Sequence, residues 1–210
     1  MLKKVVVLFV LLLYCLPVYA APQEENSAEL LKTVLRAQSV EKIAHGVWVI
    51  PETAINDYFA MHTESDKLKN PSIKLLGDNR MQIAFDSSMG RVNLTCEVKQ
   101  FVHNQTQSYA QVYIRKKEVA GKPFMSWMLK FIPMGAIANL YGNPLKDSDV
   151  DARFDGNTLK INFRPLMEKT LLNTDFGRQV EINSITVSEG VLELNTNLRP
   201  ERMLGLLVAR

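Results

Sequence analysis

Hydrophobic positions along this chain change period several times, and each change marks an element. Asn26 followed by Glu29 resembles a helix start, and Leu30, Leu31, Val34 and Leu35 then recur at helical spacing. That spacing predicts a helix from about Ser27 to Ala37. Gly46 to Ile50 reads as a short apolar strand, after which Pro51 and Glu52 suit the first turn of a second helix. Ile55, Tyr58, Phe59 and His62 would share one face of it. Lys67 to Ser72, with Asn70-Pro71, reads as a loop.

From Ile73 to Arg115 the period becomes two. Met81, Ile83 and Phe85 alternate with Gln82, Ala84 and Asp86, and Val92, Leu94, Cys96 and Val98 alternate with Asn93, Thr95, Glu97 and Lys99. Ala110, Val112 and Ile114 continue the apolar face. The turns Gly77-Asp78-Asn79, Ser87-Ser88-Met89-Gly90 and His103-Asn104-Gln105-Thr106 are too short for crossovers, so at least four strands form an antiparallel meander. Alternation returns from Asp151 to Arg164, with Leu159, Ile161 and Phe163 facing one way after the turn Asp155-Gly156-Asn157. A helix opening at Pro165 follows, with Leu166, Met167, Leu171 and Leu172 on its apolar side and Gly177 ending it near Phe176. The tail gives a hairpin, Ile182 to Val187 and Val191 to Asn197. Runs of strands separated by a few helices predict an α+β fold, not a doubly wound parallel sheet.

One segment breaks the alternation. Pro123 to Tyr141 is apolar almost throughout, interrupted by Ser126, Lys130, Pro133, Gly135 and Asn139. As a membrane span it is poor, because the cost of Lys130, about 2.5 to 3.5 kcal/mol, roughly cancels the return of about 0.3 to 0.6 kcal/mol from each of six Leu, Ile and Phe residues, and Pro133, Gly135 and Asn139 then count against insertion. On a helical wheel Phe124, Trp127, Met128 and Phe131 form one face at i, i+3, i+4 and i+7, which Met125, Leu129 and Ile132 widen. A helix apolar nearly all round is either a central core helix or one that touches lipid. Met125, Met128 and Met134 supply adaptable surface, and Pro133 with Gly135 should kink the segment.

The chain's start reads as an export signal: Lys3 and Lys4, an apolar run from Val5 to Leu16 too short to span comfortably, Pro17, and a small-residue site at Val18-Tyr19-Ala20. Retention of this segment as an anchor is the alternative. Acylation at Cys15 is disfavoured by the bulky Tyr14. Residues 21–210 then suit one domain, exported to a periplasm, the cell envelope or the extracellular space. Cys96 is the one thiol in that stretch, which excludes an internal disulfide and fits a small core residue. The net charge of +3 falls to +1 without Lys3 and Lys4, giving no electrostatic reason for a nucleic-acid partner.

Candidate chemistry is sparse. Asp147, Asp149, Asp151 and Asp155 have calcium-loop spacing, but Ala152 stands where the loop needs Gly and Thr158 where it needs Glu. His45, His62 and His103 have no ligand spacing and read as surface or core-edge histidines, and no nucleophile elbow or phosphate-binding glycine loop is present. No catalytic residue, metal or cofactor is therefore expected. A hydrolase with scattered acids is a weaker alternative.

Ile50-Pro-Glu-Thr-Ala-Ile-Asn-Asp-Tyr-Phe59, the long meander, the apolar helix and the closing Ile182-Asn-Ser-Ile-Thr-Val-Ser-Glu-Gly-Val-Leu-Glu-Leu194 together resemble the LmeA-like and YpmS-like exported proteins, which are similar in style to tubular lipid-binding domains. The resemblance covers most of Gly46 to Arg199. It implies a curved sheet wrapped along helices to make an apolar groove for acyl chains, with no catalytic residues. The expected function is non-enzymatic lipid binding or transfer, with Phe124, Trp127, Met128, Phe131, Ile132, Met134 and Ile137 lining or gating the groove and Lys130 at its rim. Lipid or another apolar ligand is the expected partner, with transient contact to a membrane surface. An envelope scaffold that presents the same helix to a partner protein is the competing expectation.

Overall fold

Hairpin turns connect most of the strands into one antiparallel sheet with short helices against it, the α+β class that the alternation predicts. The computed structural model describes residues 24–62, 69–87, 90–141, 151–169 and 171–200. The expected export segment 1–20, and Asp147 and Asp149, lie outside these residues. In chain order the elements are α1 (Glu24–Arg36), α2 (Val40–Ala44), β1 (Val47–Pro51), α3 (Glu52–His62), β2 (Lys69–Gly77), β3 (Arg80–Ser87), β4 (Gly90–His103) and β5 (Ser108–Val119). There follow α4 (Pro123–Phe131), α5 (Met134–Tyr141), β6 (Asp151–Asp155), β7 (Thr158–Asn162), α6 (Arg164–Lys169), a 3-10 turn (Leu171–Asn173), α7 (Asp175–Gln179), β8 (Ile182–Ser188) and β9 (Val191–Thr196).

The meander β2-β3-β4-β5 forms as expected, and β6-β7 joins it through β5. The long strand β4 is shared. Its first half pairs with β3, while its end meets β8 at His103 opposite Ile182, so the C-terminal hairpin and β1 extend the sheet as a second branch. The turn between β2 and β3 ties the two branches. Asp78 and Asn79 adopt φ of 51° and 57°, which Asn and Asp tolerate better than other side chains. Asn79 donates its N–H to the Val187 carbonyl (3.1 Å), accepts from Val187 N at its Oδ1 (3.0 Å) and accepts from Val98 N at its carbonyl (2.9 Å).

Helix α3 closes the exposed strand edge of β2. Asn56 on α3 accepts from Ile73 N (2.8 Å) and donates to Ile73 O (2.9 Å), and Glu52 accepts from Leu75 N (2.6 Å). Backbone groups that would otherwise stand open on an edge strand are thereby paired. The expected loop at Lys67 to Ser72 is corrected over its described part, since Lys69 to Ser72 belong to β2. Pro71 is tolerated there because β3 is the one strand beside this part of β2, and the register is irregular between Lys69 and Ser72.

Ile55, Tyr58 and Phe59 of α3 and Leu30 and Val34 of α1 enter the core with Ile73, Leu75, Met81 and Cys96 of the sheet. Leu35, expected on the buried stripe of α1, is 53% exposed, so that stripe is narrower than the spacing implied. The single helix expected from Pro165 is also corrected. Thr174 accepts from Gly177 N (2.9 Å) as an N-cap and starts α7, so Gly177 lies inside a helix instead of ending one.

Two β-bulges interrupt the alternation of β4 and β5. Lys99 is the extra residue between the pairs Val98–Val112 and Gln100–Gln111, and Arg115 is the extra residue between Cys96–Ile114 and Thr95–Lys116. Beyond each bulge the inward parity reverses, so Phe101 and His103 point inward at one end and Lys117 and Val119 at the other. His103, read as a surface or core-edge histidine, is 1% exposed. Its Nδ1 lies 2.8 Å from Ser108 Oγ, its ring stacks toward Phe163, and its Nε2 has no hydrogen-bond partner.

Two stability effects follow. Asn79→Ala removes the acceptor for Val187 N and the tolerance for positive φ, and should cost about 2 kcal/mol of unfolding free energy in urea. Burial, aided by the nearby Arg164 charge, pushes the His103 imidazole down to about 4. The unfolded chain therefore takes up a proton on His103 before the folded one does. Its contribution is complete above the ordinary value near 6.5 and is lost as pH falls towards 4. Between pH 7 and 5 this accounts for about 2 kcal/mol, and His103→Phe should flatten that part of the stability profile measured by urea titration.

Candidate functional site

Ser126 decides which way the apolar helix faces. Its Oγ accepts from Val119 N (2.9 Å) and lies 3.2 Å from the Val119 carbonyl and 3.1 Å from that of Lys122. β7 pairs with β5 only over Tyr109 to Tyr113, so the C-terminal half of β5 has no strand on that side and α4 covers it. Met125, Ser126 and Leu129 are half-buried on this inner side. The opposite face turns outward: Phe124 is 69%, Trp127 58%, Met128 46% and Phe131 66% exposed.

α4 therefore has no buried residue and is not the central core helix. Its three aromatic rings form a row, Phe124 stacked on Trp127 with centroids 6.0 Å apart and Trp127 edge-to-face with Phe131 at 5.2 Å. Four of the seven large apolar side chains most exposed among the described residues lie on this one short helix. Single exposed apolar residues are ordinary, but a contiguous row of this kind marks a contact surface.

The expected break at Pro133 is present. α4 ends at Phe131, Ile132 is extended (φ −92°, ψ 118°), and α5 begins at Met134. A polar clip fixes this elbow. Lys117 Nζ donates to the Ile132 carbonyl (2.6 Å) and to Asn157 Oδ1 (3.0 Å), and the same Oδ1 accepts from Met134 N (3.0 Å). Gly135 donates its N–H to the Gly156 carbonyl (3.1 Å), and a Cβ there would stand 3.3 Å from that of Phe154. Lys117 is 5% exposed, and burial lowers its pKa.

The residues expected to form one site divide into two groups. Phe124, Trp127, Met128 and Phe131 share the outward face, with Lys130 exposed beside them. Ile132 and Ile137 are half-buried, and Met134 packs against the core. Sequence reasoning missed Lys117 and Asn157. Lys117 sits in the charged run Arg115-Lys116-Lys117-Glu118, where only the bulge distinguishes it from a surface lysine.

Conventional reactive groups are not gathered here. Cys96 is 3% exposed and burial raises its thiol to about 12, far from a nucleophile's range. Among the described residues no group of His, Cys, Asp or Glu could hold a metal, and Asp151 and Asp155 instead pair with Arg153 (3.0 Å) and Lys160 (3.4 Å). A polar cavity of about 440 Å³, lined by Gln105, Arg164, Glu168, Leu172, Arg178 and Gln179, shares no residue with α4. Among the described residues no helix is long and apolar enough to cross a membrane.

No family model, curated protein or solved structure matches this chain. The resemblance to the LmeA-like and YpmS-like proteins thus rests on the quoted residues alone, and the functional reading rests on α4 and its clip.

Asn157→Ala would leave both the Met134 N–H and the Lys117 ammonium without a shared acceptor. It should destabilise the protein by about 1 to 3 kcal/mol, and hydrogen exchange should show amides of α5 losing protection ahead of those in β4 and β5.

Proposed function

We propose that this protein binds lipid without catalysing a reaction, and that the outward face of α4 is where lipid is met. The observation that carries this reading is the row Phe124, Trp127, Met128 and Phe131, held outward by hydrogen bonds on the helix's other side. A short helix with aromatic and Met side chains on one face and lysines at its margin suits the boundary between headgroups and acyl chains. Withdrawing the exposed parts of the three aromatic rings from water would contribute about 1 to 2 kcal/mol each.

In this reading the sheet curves, and the cross-strand row of Ile73, Ile83 and Leu94 leads along its inner face to Lys117 and the elbow. The half-buried Ile83, Leu94 and Met134 then floor an apolar groove that receives an acyl chain, with Ile132 and Ile137 at its mouth. Burying such a chain contributes about 0.8 kcal/mol per CH2. Export to the cell envelope, proposed from residues 1–20, would place the protein beside membrane lipid. The competing reading is a scaffold that offers α4 to a partner protein, for which aromatic and Met side chains are equally suited.

The test is lipid extraction and native mass spectrometry of the full chain. Wild type should carry or take up phospholipid, and Phe124→Asp/Phe131→Asp should lower uptake at least about tenfold with an unchanged far-UV spectrum. A wild-type protein that is empty and ignores offered phospholipid would overturn the proposal. Loss of one co-purifying protein in Trp127→Asp, with lipid content unchanged, would establish the scaffold instead.

A further inference from the structure

Among the described residues no acid pairs with the lysines that flank α4, and this deepens the lipid-binding reading on which the inference rests. Residues 119–146 contain no Asp or Glu, whereas Lys122 and Lys130 flank the aromatic row. Lys122 occupies the N-cap of α4, no acidic residue stands in the first turn, and Lys130 lies in the last. Both lysines are exposed. Each described acid on the neighbouring strands already has a cation: Glu118 pairs with Lys116 (2.9 Å), Asp155 with Lys160 (3.4 Å) and Asp151 with Arg153 (3.0 Å). Lys117 is spent on the elbow. Neither Lys122 nor Lys130 has an ion-pair partner among the described residues.

We infer that the α4 face docks on an anionic bilayer surface, its aromatic row entering the acyl boundary while Lys122 and Lys130 meet negatively charged headgroups. The dimensions agree. Phe124 to Phe131 spans about 10 Å of helix, so cations near both ends can reach the headgroup layer while the rings between them enter to the 5–10 Å depth about which interfacial helices settle. An acidic protein surface would satisfy the lysines but would also have to bury three adjacent rings. An anionic bilayer supplies both environments in one layered surface.

The experiment is co-flotation of the full chain with vesicles of phosphatidylcholine alone and of an equimolar mixture with phosphatidylglycerol, at low and raised salt. Wild type should favour the mixed vesicles at least about thirtyfold, and raised salt should erase most of the preference. Lys122→Gln/Lys130→Gln, which leaves the aromatic row intact, should lose about thirtyfold on mixed vesicles, about fivefold per lysine, and nothing on phosphatidylcholine. Phe124→Asp/Phe131→Asp should fail on both. Equal binding to the two vesicle types, unaffected by the Gln variant, would overturn the anionic preference and leave lipid binding standing. A protein that floats with neither, and carries no lipid by mass spectrometry, would overturn both.

Discussion

Glu97 lies between the two bulges on which the rest of the arrangement depends. One of its oxygens accepts from Lys99 (2.6 Å) and the other from Arg115, and these are the two residues that the bulges insert into β4 and β5. The Arg115 bond, followed by that of Lys99, holds the Glu97 carboxyl below the usual range. Exposed ion pairs contribute little to stability, so the value of this one is geometric. It sits where both strands change parity. Past Lys99, Phe101 and His103 turn inward to build the end of the core around Phe163. Past Arg115, Lys117 turns inward and reaches the elbow between the apolar helices. Without either shift, residues now inside would face water.

This explains which parts of the fold the sequence discloses. Alternation over Met81 to Val98 and Ala110 to Ile114 identifies the strands, and short turns identify their order, because both signals are local. Bulges are not. Bulges at Lys99 and Arg115 leave no mark in composition or turn spacing and reverse only the parity that follows, so the burial of His103 and Lys117 has no local signal. The placement of β8 beside the far end of β4 is equally long-range. It depends on Asn79, whose role in a Gly-Asp-Asn turn is visible, but whose bonds to Val187 join residues 108 positions apart. The boundary errors have two causes: Pro71 is tolerated by the pairing around it, whereas Thr174 starts α7 through its own capping hydroxyl.

The candidate site was legible in its membership and not in its direction. Helical spacing placed Phe124, Trp127, Met128 and Phe131 on one face, and Pro133 placed the break. Hydrophobicity alone would turn that face inward, as it does for Ile55, Tyr58 and Phe59 on α3. What opposes it is one hydroxyl among nine residues. Ser126 finds the unpaired end of β5, and satisfying a strand edge competes with burying a ring on comparable terms, since an unmet backbone group costs about 1 to 3 kcal/mol.

The outward face is therefore held in place and is not the residue of a helix that failed to dock. Rotating α4 to bury its rings would take Ser126 away from Val119 N and carry Ile132 away from Lys117, leaving this buried lysine with Asn157 Oδ1 and without the Ile132 carbonyl. A buried cation that loses an acceptor is costly, so the clip opposes rotation at the C-terminal end of α4 while Ser126 opposes it at the other. Two independent polar anchors, on separate residues of β5, thus fix the same orientation. The helix keeps its apolar face in water because turning it would break both, and covering that face from outside breaks neither.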